Sequence, residues 1–202
     1  MSMEHKAFIF DTEQYHKTIE PMLEKCCATH NTHDTQEIQD YISKHLSKFT
    51  SPYSGDPLYE NWLDELETRD MQELFDILLT SCYDCNHDIG LGYAWEAVIN
   101  MISCFGSSDS PESYVLGYPL TYHNVVIDPG AMGLGVIEAS EIASRKDYVE
   151  QHKKAACNFD ISLLSDDLLY KFDAEELADA YDDLCTLYSQ ALHENKGLMF
   201  TF

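Results

Sequence analysis

The chain has 202 residues, enough for one hydrophobic core, and 45% of them are apolar and 12% aromatic, which excludes a disordered chain and predicts one globular domain. Aspartate and glutamate outnumber lysine and arginine 36 to 12, a formal charge of −24, and only Arg69 and Arg145 carry guanidinium groups. Affinity for nucleic acid rests on clustered Lys and Arg that displace counterions, so this balance excludes nucleic acid and directs attention to a basic protein partner, whose approach a negative field would steer.

At the start, residues 1–10 hold one lysine and a short Ala7-Phe8-Ile9-Phe10 run ahead of acidic Asp11 and Glu13. That run is too short for the core of a signal peptide, and a cytoplasmic protein is expected. Asp11 with Gln14 reads as a capping pair for a helix carrying Tyr15, Ile19, Met22, Leu23, Cys26 and Cys27, with Pro21 as its point of division. Asp34 and Glu37 form a capping box before Ile38, Tyr41, Ile42, His45, Leu46 and Phe49, which share one helical stripe. Residues 50–57, with two prolines and Gly55, predict a loop.

Tyr59, Trp62, Leu63 and Leu66 then predict a short helix, and Asp70 with Glu73 caps another through Leu74, Phe75, Leu78, Leu79 and Cys82. Residues 83–92 are polar and end in two glycines, a loop before the helix of Trp95, Val98, Ile99, Ile102 and Phe105. The cluster from 94 to 105 is the longest apolar one, yet Glu96, Asn100 and Ser103 interrupt it, so no membrane span of about 20 apolar residues is predicted.

After Gly106 the pattern changes. Residues 114–117 and 122–128 are rich in β-branched and aromatic side chains and predict strands, while residues 129–135, with three glycines, predict an irregular turn that needs positive φ. A helix capped by Ser140 should run to about Ala156. Asp173 and Glu176 form a capping box for the last helix, with Leu177, Ala180, Tyr181, Leu184, Tyr188, Ala191 and Leu192 on one face, and Gly197 should stop it. Residues 198–202 are apolar enough for a buried final strand. The expected fold is therefore α+β, a helix-rich domain whose small sheet comes mainly from the second half.

Three pieces of that half, Ala94-Trp95 with Val98, Ile99, Met101 and Ile102, then Gly117 to Leu120 with the glycine turn from Asp128 to Gly135, then Tyr181 to Phe202, together resemble the YfbM-like family of bacterial proteins. The resemblance covers roughly residues 88–202, and Gly130-Ala131-Met132-Gly133 departs from the family's more aromatic turn. It implies an α+β cytosolic domain and no particular activity, so function has to be argued from a site.

Seven cysteines, an odd number at irregular spacing, read as reduced and mostly as packing residues. Cys82-x-x-Cys85-x-His87 has the spacing of half a zinc site, but it supplies three ligands at most and His123 would have to complete it from a distant loop; no metal and no cofactor are expected. Cys26 and Cys27 with His30 and His33 are weaker, because adjacent side chains on a helix diverge. Gly130-x-x-Gly133-x-Gly135 lacks the lysine of a phosphate loop. Asp179, Asp182 and Asp183, beside Glu175 and Glu176, read as the solvent side of the last helix. The candidate ligand site is a cleft where His87 and Asp88, Trp95, and the strand with Tyr122, His123 and Asp128 would converge. The charge, with no complete catalytic motif, predicts a non-enzymatic protein-binding module of inhibitor or immunity type; an enzyme or ligand-binding protein using that cleft is the alternative.

Overall fold

The structure is a computed structural model that describes residues 3–28, 35–107 and 109–202. The capping role expected of Asp34, and His30 and His33, lie outside the described residues. The protein has the α+β architecture expected: seven α-helical segments are described around a three-stranded antiparallel sheet and a two-stranded hairpin.

The central sheet has the order β1 (Lys6–Phe10), β5 (Gly197–Thr201), β4 (Leu134–Ile137). Its strands are short unbroken apolar runs because both faces are covered. Ala7, Leu198, Phe200 and Ile137 point into one core, formed with α5 (Trp95–Phe105), α6 (Ala139–Ala156) and α7 (Ala174–Glu194). Phe8, Phe10, Met199 and Val136 point into the other, formed with α2 (Glu20–Ala28), α3 (Gln36–Lys44) and α4 (Met71–Leu79).

The first helical segment begins as expected, with Asp11 accepting from the Gln14 amide at 2.9 Å and opening α1 (Thr12–Gln14). A π-helical stretch, Tyr15–Ile19, leads directly into α2. Pro21 has no N–H for the Lys17 carbonyl and its ring would crowd it; the wider turn lets the helix run through the proline without dividing. Residues 58–66 form no α-helix, only the 3₁₀ turn Trp62–Glu65, since Tyr59 is exposed and the stripe buries little beyond Trp62.

In the second half several expectations change. Residues 114–117 are not a strand: a 3₁₀ turn at Pro111–Tyr114 precedes them, and Gly117 at φ +65° passes within contact of the Val136 backbone, leaving one bridge from Tyr118 to Val136. Residues 122–128 contain a hairpin, β2 (Thr121–Tyr122) and β3 (Val125–Val126), turned by His123 and Asn124 at φ 48° and 67°. The expected irregular turn contains a 3₁₀ turn, Pro129–Ala131, but its last residues belong to β4. Ser140 does not cap α6; Glu138 is the N-cap residue and makes no side-chain cap bond.

The capping box at Asp173 and Glu176 is complete. Asn195, in the left-handed conformation, ends α7 in place of Gly197, which instead opens β5 where a Cβ would lie 2.3 Å from the Ile137 carbonyl oxygen. No helix among the described residues is long and apolar enough to cross a membrane.

Candidate functional site

The register of the sheet builds the floor of a cavity. Lys6 and Leu134 both pair with Thr201, and Phe8 and Val136 both pair with Met199, so adjacent rows of side chains lie on one face. Lys6, Phe8, Leu134, Met199 and Thr201 line a cavity of about 250 Å³, closed by Asp76 and Leu79 of α4 and by the loops at 52–55, 83–85 and 129–132.

The sequence places Asp76 there through the helix period. Asp70 caps α4 by accepting from the Glu73 amide at 3.1 Å, and Met71, Leu74, Phe75, Ile77, Leu78 and Leu79 are buried. Asp76 is the one acid inside this apolar run, and residues three apart, 76 and 79, share the side that meets the cavity. No hydrogen bond or ion pair from another described residue reaches its carboxylate. Burial, and then the nearby charge of Glu73, push its pKa up to about 6.

Glu73 differs although it lies one turn away. Burial works against its charge, but the amides of Glu67, Thr68 and Arg69 and the Thr68 hydroxyl donate to it at 2.8–2.9 Å and hold it below its ordinary value. The two carboxylates are thus separated in acidity, and Asp76 takes a proton first.

Tyr83 closes the cavity with its ring 4.8 Å from that of Phe8, and burial, followed by Cys85 and Asp76, drives its phenol far above the ordinary range. The Cys85 thiol lies 3.4 Å from the Thr50 hydroxyl. Tyr53 stands at the rim, 79% exposed, and also borders a second depression of about 520 Å³ lined by Glu65, Glu67, Thr68, Asp70, Gln72 and Glu73. Beside this second depression Arg69 pairs with Asp64 at 3.3 Å.

The residues expected from the sequence have other surroundings. His87 is exposed beside Asp11, Cys82 and Lys196, in a separate depression. Asp88 accepts from the amides of Ala7 (3.1 Å) and Gly90 (2.9 Å), fastening its loop to β1. Trp95 donates its indole N–H to the Met3 carbonyl at 3.3 Å and meets the Phe202 ring edge-on. The Tyr122 hydroxyl is bonded to Tyr15 and Glu20, and His123 is exposed in the hairpin turn. Asp128 accepts from the Gly133 amide at 2.7 Å, while its own amide donates to Gln72. None of the six lines the Asp76 cavity; Asp128 adjoins it through Pro129 and Met132 on its loop, and Trp95 through the Phe202 ring.

Cys82 is buried, its thiol pushed up to about 12 by burial, whereas Cys85 lines the cavity. Among the described residues no three His, Cys, Asp or Glu side chains are grouped as metal ligands.

Sequence reasoning missed Asp76, Tyr83 and Tyr53. The available signal was the acid itself, standing between Phe75 and Ile77 in a run that is otherwise apolar from 74 to 79. It also missed two buried polar groups that serve the fold. His5 donates from Nε2 to the Val115 carbonyl (2.7 Å) and accepts from the Leu91 amide (3.1 Å), and burial lowers its pKa to about 4. Arg145, 3% exposed, donates to Ser113, Tyr118 and Glu141 and lies over the rings of Tyr114 and Tyr118.

Compared with family models, with curated proteins and with solved structures, the chain finds no match.

Proposed function

We propose that this protein is a non-enzymatic binding module that engages a basic protein through the acidic surface beside α4, in the manner of an inhibitor or immunity partner. The observation that carries the reading is the position of Tyr53, an exposed aromatic between the Asp76 cavity and a depression bordered by Glu65, Glu67, Asp70 and Glu73. Tyrosine is enriched where interfaces concentrate binding energy, and a rim of one charge sets the rate and selectivity of encounter. The net charge of −24 extends that field over the whole molecule.

A binding role also fits the chemistry lining the cavity. It contains a thiol at Cys85, but no histidine is among the lining residues to act as its base. The kinship with YfbM-like proteins belongs to the same proposal and adds no activity to it.

The test is affinity capture from the native host at low salt, using the wild-type chain and the double variant Glu65→Lys with Glu67→Lys, followed by calorimetry on the recovered protein. A basic protein whose affinity falls at least about tenfold in the variant supports the reading, since about 1.4 kcal/mol corresponds to that factor. A monodisperse wild-type protein with no partner at low salt, or equal affinity for both forms, overturns it.

A further inference from the structure

We infer that the cavity between α4 and the sheet receives one basic side chain, a lysine or arginine of the partner, with its cation on the Asp76 carboxylate and its methylenes on Phe8, Leu134 and Met199. This rests on the reading of a basic protein partner and adds which group enters the molecule, and where.

Four observations carry it. First, the Asp76 carboxylate is half-buried at the cavity, with its oxygens still open to solvent, and it receives no donor from another described residue, so its hydrogen-bonding capacity is left for whatever enters. An entering ammonium or guanidinium supplies both the donor and the opposite charge.

Second, the walls are divided as a long basic side chain requires. Phe8, Leu79, Leu134 and Met199 offer apolar surface to the stem, and the rings of Tyr53, Tyr83 and Phe202 offer faces and edges to the head. Third, the resident cation does not fill this role. Lys6 lines the cavity from the exposed end of β1, but it makes no ion pair with Asp76, and the one charge that shifts Asp76 is the like charge of Glu73.

Fourth, the competing ligand classes fit poorly. A hard metal ion needs several oxygen ligands together, and Asp76 is the single carboxylate side chain among the lining residues. An anion would meet Asp76 itself and, past Tyr53, Glu65, Glu67 and Glu73. The groups that face Asp76 from every side are Glu73 on its own helix, Tyr83 and Cys85 from the loop after α4, Tyr53 from the loop at 52–55, and Lys6 from β1.

The experiment titrates the full chain with Nα-acetyl-lysine N-methylamide, its arginine counterpart and the neutral norleucine counterpart, followed by amide NMR shifts. Saturable shifts centred on Asp76, Leu79 and Tyr83 are expected for the basic compounds and not for norleucine. Affinity should fall at least about tenfold in Asp76→Asn, and also in the wild type between about pH 7 and about pH 5 as the carboxylate is protonated. Should Asp76→Asn fail to fold, the wild-type pH series decides. Equal binding of norleucine, unchanged affinity in Asp76→Asn, or no saturable shift overturns the inference.

The recovered partner separates the two levels. If it binds wild type and Asp76→Asn equally, the cavity is not its receptor although the protein is still a binder of basic proteins. If nothing basic binds the wild type, the functional reading fails as well.

Discussion

Asp76 has a thermodynamic consequence independent of any ligand. Its pKa is raised from 3.8 to about 6, so the folded state holds this proton more tightly than the unfolded chain does. Its contribution to stability is therefore fully present below about pH 4 and is lost as pH rises through about 6, after which the ionised group costs on the order of 1–3 kcal/mol. Asp76→Asn should melt about 2–8 °C above the wild type at neutral pH, with the gap closing toward pH 4; parallel melting curves at every pH would contradict this.

His16 is held toward its charged form. It bridges Glu20 at 2.7 Å and Glu138 at 2.9 Å, and although burial opposes its charge, the hydrogen bonds it donates to Glu138 and then Glu20 hold its pKa above the ordinary value of 6.5. The stability it adds is complete below about pH 6.5 and disappears as pH rises through the folded value. In Glu138→Gln, the pKa read from the imidazole proton shifts should drop toward 6.5, and an unchanged value would show that the bridge does not act. Caps such as Asp11, Asp70 and Asp173 were legible in the sequence because a cap is a local device spanning three residues. Asp76 was not, because an acid in a helical run reads as the solvent side until the opposing sheet is known.

Among the elements, α4 and α7 followed from period and caps, α3 and α5 from period, and β5 from its apolar run, whereas α6 was expected from a cap that Ser140 does not make. The other two strands of the central sheet did not. Ala7-Phe8-Ile9-Phe10 has no polar alternation because both faces are buried, and β4 is hidden behind the glycine-rich turn whose last residues it takes. Their partner β5 lies between them, so its loss would leave two unpaired edges. Leu198, Met199 and Phe200 are each no more than 2% exposed, and at about 1.5–3 kcal/mol per side chain they contribute about 5–9 kcal/mol. That approaches the whole stability of an ordinary domain, about 5–15 kcal/mol. Deleting residues 198–202 should abolish cooperative unfolding in circular dichroism, and a truncated chain with an unaltered melting curve would refute the central role of this strand.

For the whole molecule, the net charge of −24 opposes compactness. Few cations offset it; Lys153 pairs with Asp182 on the acidic face of α7 and Lys146 with Glu150 within α6, and these exposed pairs are weak. Raising salt from about 10 mM to about 200 mM should therefore raise the melting temperature by a few degrees through screening, whereas a fall would mean that attraction dominates. The pairing of β1 with β5 carries a separate consequence in time. Lys6 meets Thr201 across nearly the whole described chain, while α6 and α7, packed together and joined by residues 157–173, need a far smaller loop closed. The helical pair should thus assemble early, and on the ribosome β1 waits, its hydrogen-bonding edge unpaired, until β5 has been made. Pulse-labelled hydrogen exchange during refolding should find the α6 and α7 amides protected before those of β1, and the reverse order would place the nucleus at the sheet.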